Sequence, residues 1–92
     1  MKVNVRYFLE LKKAISKKEE SIDLEVPTVE SLLKTLVSKY GEEVAKMIVD
    51  EKTKVIGTRV KVLVNGRDIR FLEFLDTRLA EDDTVSVMPA LR

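Results

Sequence analysis

The sequence predicts an α+β fold, a sheet of four to five strands covered on one face by one main helix. Three stretches carry that prediction. Apolar residues between Val29 and Tyr40 recur at helical spacing; residues near each end of the chain alternate apolar with polar, as half-buried strands do; and Asn65-Gly66 stops a third alternating run at a tight reversal.

Taken in order, residues 2 to 9 place Val3, Val5, Tyr7 and Leu9 on one strand face and Lys2, Asn4, Arg6 and Phe8 on the other. Phe8 is the aromatic out of place. It either packs under a loop or the outer face of the last strand, or it faces a partner. Lys12 to Glu20 reads as a solvated connection anchored by Ile15, because two glutamates directly follow its lysines. Ser21 to Val26 alternates again, with Ile22, Leu24 and Val26 inward, and should pair antiparallel with the first strand until Pro27 blocks the ladder.

Thr28 suits a helix N-cap, since its hydroxyl can accept from a first-turn amide, and Glu30 lies where the helix dipole favours an anion. Val29, Leu32, Leu33, Leu36, Val37 and Tyr40 then form the clearest stripe in the chain, and Gly41 sits where a helix ends. Val44, Met47 and Ile48 predict a second, shorter helix over 42–49. Residues 50–59 have no period and form either a mobile connection or a small hairpin.

Val60, Val62 and Val64 face one side of the next strand. After Asn65-Gly66, Ile69, Phe71, Leu72, Phe74, Leu75 and Leu79 are too apolar for a solvent loop; Phe71, Leu72 and Leu75 are expected to plug the open end of the sheet. Glu81-Asp82-Asp83 turns the chain into a last strand, Thr84 to Met88, closed by Pro89.

Composition narrows the function. The 92 residues (1–92) are expected to form one domain, with Lys and Arg at 17 against Asp and Glu at 16, so no net charge recruits nucleic acid or a membrane. The chain contains no cysteine and no histidine, which removes disulfides, thiol nucleophiles, imidazole bases and the usual zinc sites. No apolar run approaches a membrane span and the N-terminal run alternates as a strand, so a cytoplasmic protein is expected. Asp82-Asp83 reads as a solvated turn and Asn65-Gly66-Arg67 lacks a phosphate-loop pattern. Catalysis by this chain alone, a cofactor and a metal site are therefore not expected. RNA binding through Lys52, Lys54, Arg59 and Lys61 is a minor alternative.

The run from Val64 to Leu72, then Leu75-Asp76-Thr77 with Leu79, Asp82 to Val85 and Met88-Pro89, resembles the small sulfur-carrier subunit of molybdopterin synthase. It is similar, more loosely, to the thiamine-pathway sulfur carrier and to archaeal ubiquitin-like modifiers. Val3 to Phe8 and Pro27 to Leu33 extend the likeness to nearly the whole chain. The resemblance implies a β-grasp fold with first and last strands parallel at the sheet centre. It also implies two partners, an adenylating enzyme and a larger catalytic subunit, met through a face near Phe8, Lys12, Ile69, Met88, Pro89, Leu91 and Arg92.

In that family a tail ending Gly-Gly is adenylated at its carboxylate, and sulfur then replaces an oxygen. Glycines suit this because a tail without side chains threads a narrow channel. Here the sequence reads Met88-Pro89-Ala90-Leu91-Arg92, with no Gly-Gly. Three accounts fit: a chain shortened before Gly-Gly, a diverged β-grasp binding or regulatory module without carrier activity, or another terminal residue in the acyl role, for which bulky, charged Arg92 is poorly shaped. The chain ending at Arg92 is expected not to form a thiocarboxylate.

Overall fold

A computed structural model describes residues 1–90. The elements run β1 (Lys2–Tyr7), α1 (Leu9–Ile15), β2 (Glu19–Asp23), α2 (Val29–Tyr40), α3 (Glu42–Ile48), β3 (Val60–Val64), β4 (Arg67–Asp68) and β5 (Thr84–Pro89), with two 3-10 turns, Ile69–Phe71 and Phe74–Asp76, before β5. The five strands form one mixed sheet in the order β2-β1-β5-β3-β4. Its central pair, β1 and β5, is parallel, from Asn4 opposite Thr84 to Tyr7 opposite Val87; the other pairings are antiparallel.

Alternation decides which face is covered. Val3, Val5, Tyr7, Val62, Val85 and Val87 are buried beneath Val29, Leu32, Leu33 and Leu36 of α2, whose stripe matches the sequence period. Thr28 caps α2 as expected, its Oγ1 accepting from the Ser31 amide at 3.2 Å. Thr28→Ala should therefore lower stability by about 1 kcal/mol, read as a shift in the urea midpoint that Thr28→Ser largely restores. The Asn65-Gly66 turn is also as expected, with both residues at positive φ, 50° and 87°. Asn65 is locked to the acidic turn: its Oδ1 accepts from the Thr84 amide at 2.9 Å and its Nδ2 donates to Asp83 Oδ1 at 3.0 Å.

Four expectations need correction. The Lys12–Glu20 connection is not a simple solvated loop, because residues 9–15 form α1 with Leu11 and Ile15 buried one turn apart. Leu9 accordingly leaves the β1 face and stands 57% exposed at the start of that helix. The second strand runs two residues earlier than Ser21 and stops at Asp23, and Val26 is 56% exposed because the chain turns before Pro27. Phe71 does not plug the sheet: it is 85% exposed, while Ile69 and Leu79 are buried and Leu72, Phe74 and Leu75 pack against the core. In a 3-10 turn residues three apart eclipse, so Ile69 and Leu72 share the inner side and Phe71 is turned out. Residues 50–59 resolve to the hairpin alternative, with Val49 bridged to Ile56 and the Gly57 amide donating to Ile48 O at 3.0 Å.

Candidate functional site

β5 carries the end of the described chain out of the sheet centre. It is hydrogen-bonded on both sides, to β1 and to β3, and Val85 and Val87 are fully buried. Its last pairings are Lys61 with Met88 and Val60 with Pro89, after which the Ala90 amide donates to Arg59 O at 3.0 Å. The strand is thus held in place up to the residue before Leu91.

Beside this exit lies a groove bounded by Leu9, Phe74, Met88, Pro89 and Ala90, with Ile69 on its floor. Leu9 also lines an adjoining surface made by Lys12, Lys13, Ser16, Lys17 and Lys18. Asp68 and Arg70 also line the groove; Arg70 grips Asp68, Nη2 to Oδ2 at 2.9 Å, and the side-chain hydrogen bonds from Arg70 hold the Asp68 carboxyl below the usual carboxylate range.

The residues expected at a docking face are partly gathered here. Met88 and Pro89 are half-buried along the groove. Ile69 is only 2% exposed and belongs to the core as well as to the groove floor, so its side chain offers little free surface. Lys12 is exposed next door. Phe8 is half-buried, its amide donating to Val87 O at 3.2 Å and its ring 5.4 Å from the Arg6 guanidinium. Leu91 and Arg92 lie outside the described residues. Of the four cations named for RNA, Lys61 lines the groove, whereas Lys52 and Lys54 belong to the hairpin after α3 and do not. Leu9 was missed; the signal for it was Leu11 and Ile15 at a helical i, i+4 spacing, which starts a helix where strand alternation had placed Leu9 inward.

Among the described residues the paired carboxylates of the Asp82-Asp83 turn form no acid-base constellation at this exit. Asp83, one of the paired carboxylates, is engaged in its turn, Oδ2 accepting from the Ala80 amide at 2.8 Å and Oδ1 from Asn65. Among the described residues no group of three or more carboxylates is placed to hold a metal ion, and no helix is long and apolar enough to cross a membrane. The most strongly perturbed carboxyl is Glu20, under the C-terminal end of α2. Its Oε2 accepts from Tyr7 Oη at 2.5 Å and from Tyr40 Oη, and its Oε1 accepts from Lys39 Nζ at 2.8 Å and Lys17 Nζ at 3.2 Å. Burial alone would push Glu20 up; the bonds from Lys39, Tyr40, Tyr7 and Lys17 outweigh it and bring the carboxyl down to about 2. Burial, then the bond to Glu20, pushes the Tyr7 phenol well above its ordinary value. These groups tie β1, β2 and α2 together.

A mixed sheet with parallel central strands and a helix laid across one face defines a ubiquitin-like β-grasp fold. The chain belongs to the ThiS family, whose pattern it matches over residues 5–91. It is 32% identical over 92 residues to small archaeal modifier protein 3 of Haloferax volcanii, covering 97% of this chain and 95% of the relative. It is 29% identical over 78 residues to a candidate sulfur carrier protein of Archaeoglobus fulgidus, covering 85% of this chain and 86% of the relative. The solved structure of a candidate molybdopterin converting factor subunit 1 from Pyrococcus furiosus superposes with a TM-score of 0.75 at 29% identity, covering 99% of each chain.

Proposed function

We propose that this protein is a sulfur carrier of the molybdopterin-synthase small-subunit type. A partner enzyme adenylates its C-terminal carboxylate, releasing pyrophosphate, and sulfide-level sulfur then attacks the acyl carbon, breaking its bond to the AMP oxygen and releasing AMP, to leave a thiocarboxylate for a larger catalytic subunit. The observation that carries this reading is the placement of β5, a central strand held on both sides that delivers Met88-Pro89-Ala90 to the rim of an apolar groove. A rigid approach followed by a slim tail is what end-activation needs, because the carboxyl must reach the reacting phosphate without ordering a long loop. The names borne by the Archaeoglobus and Pyrococcus relatives support the sulfur role. The Haloferax relative, named a modifier, supports a second reading in which the same activated carboxyl is passed to an amine of another protein.

The test is carrier-dependent pyrophosphate release from ATP by an adenylating enzyme that activates carriers of this family, using the chain extended by Gly-Gly after Arg92. Release is expected with the extended chain and not with one ending at Arg92. Met88→Asp should slow release by roughly tenfold while leaving the melting temperature nearly unchanged, since Met88 is half-buried at the groove and not in the core. No release from the extended chain would remove the proposal. A sulfur-bearing product distinguishes the first reading, and a conjugate carrying the mass of a second protein distinguishes the other.

A further inference from the structure

We infer that the surface centred on Leu9 receives an acidic segment of a protein partner that also carries an apolar side chain. The inference takes from the carrier reading only the location of the surface and adds the chemistry of what fits there. Leu9 is 57% exposed and held at φ 55°, a left-handed conformation that a branched side chain rarely adopts. Its neighbours impose this: Phe8 continues extended beside β5, while Leu11 and Ile15 bury the inner side of α1. The chain therefore spends backbone strain on an arrangement that leaves a leucine facing out.

That leucine is shared by two surfaces of different character, the groove with Phe74, Met88 and Pro89, and the surface formed by Lys12, Lys13, Lys17 and Lys18. Charge is balanced over the whole sequence, 17 basic against 16 acidic residues, but not here. Among the described residues lining the two surfaces, the four lysines, Lys61 and Arg70 face a single carboxylate, Asp68, which Arg70 already occupies. Lys13 and Lys17 reach Glu10 at 3.8 Å and Glu20 at 3.2 Å. Lys12 and Lys18 make no ion pair among the described residues.

The complement of an aliphatic centre with a one-sided cationic flank is a segment bearing carboxylates around an apolar anchor, which satisfies both halves and gains on-rate from the opposite charge. A single-stranded nucleic acid fits less well. Its bases want aromatic faces to stack on, and among the described residues lining the groove the one aromatic, Phe74, is half-buried.

The test is an NMR titration of the 15N-labelled full chain, extended by Gly-Gly after Arg92, with a short peptide alternating glutamate and leucine, its glutamine-for-glutamate counterpart, and an oligouridylate of similar length. Shifts from the acidic peptide are expected at Leu9, Lys12, Lys13, Lys18 and Met88, with the glutamine counterpart binding roughly tenfold more weakly. Leu9→Gly and, separately, Lys12→Glu with Lys18→Glu should each weaken the acidic peptide by about tenfold. Leu9→Gly keeps the fold, because glycine accepts the positive φ that leucine resists. Absence of binding, equal binding of the glutamine counterpart, shifts confined to another face, or tighter binding of the oligouridylate would overturn the inference. Pyrophosphate release measured on the same Gly-Gly-extended preparation separates the two claims. Release without peptide binding overturns the acidic-segment inference alone, and peptide binding without release overturns the carrier reading alone.

Discussion

Glu20→Gln is expected to cost about 3 kcal/mol of stability at neutral pH and to abolish most of the acid sensitivity of the fold. In the folded protein the Glu20 carboxylate accepts from two phenols and two ammonium groups with its side chain only 9% exposed. An amide in its place still accepts on one atom, but its NH2 group does not accept, so two of the four donors lose their acceptor. The pH dependence follows from the direction of the shift. The folded carboxyl titrates at about 2 and the unfolded one near its ordinary value of 4.5, so the stabilisation is complete above about pH 4.5 and is lost as pH falls toward 2. The Tyr7 phenol is shifted the other way, upward, so its contribution is fully present below about pH 10 and is lost only above that. Urea midpoints measured from pH 7 down to pH 2.5 should fall steeply for the native chain between about pH 4.5 and 2.5, and should be lower but much flatter for Glu20→Gln. Parallel curves would mean that the Glu20 carboxylate does not clamp β1, β2 and α2 together.

Gly57→Val should cost about 3 kcal/mol and disturb the groove as well as the core. Gly57 ends the hairpin after α3 at φ 90°, and a Cβ there would lie 3.0 Å from Leu75 Cδ2, 3.5 Å from Leu33 Cδ1 and 3.6 Å from Phe74 Cζ. The cost has two parts: positive φ for a β-branched residue, and displacement of the side chains through which the 3-10 turns pack on α2. Gly66→Ala isolates the first part, since Gly66 has φ 87° with nothing within 4 Å of an added Cβ, and should cost only about 1 kcal/mol. Denaturant midpoints check both. Equal effects at the two sites would show that the close approach of Gly57 to Leu75 carries no weight.

Long, regular elements were legible from sequence because one physical rule governed each. The α2 stripe, its Thr28 cap, the alternation of β1, β3 and β5 and the Asn65-Gly66 reversal all follow from local spacing or local φ preference. Failures fell where tertiary packing chose between two short-range patterns. Leu9 fits strand alternation and also the start of a seven-residue helix, and only burial of Leu11 and Ile15 decides the matter. Phe71 has the hydrophobicity of a plug residue, but the Asp68 side chain caps the turn at the Arg70 amide and the resulting 3-10 geometry points the ring outward. The Glu20 clamp could not be read at all, since it joins Tyr7, Lys17, Lys39 and Tyr40 across three elements with no spacing signature. At the chain exit, Met88 and Pro89 were legible as the close of a strand, whereas the groove beside them depends on the hairpin and the 3-10 turns arriving from elsewhere.

These elements place the end of a central strand next to an apolar groove with a cationic flank. The most direct measurement is the intact mass of the Gly-Gly-extended chain after incubation with its activating enzyme, ATP and a sulfur donor. The expected result is a gain equal to the exchange of one oxygen for one sulfur, located by fragmentation at the C-terminal residue. An unchanged mass, with the enzyme shown active on another carrier, would contradict it.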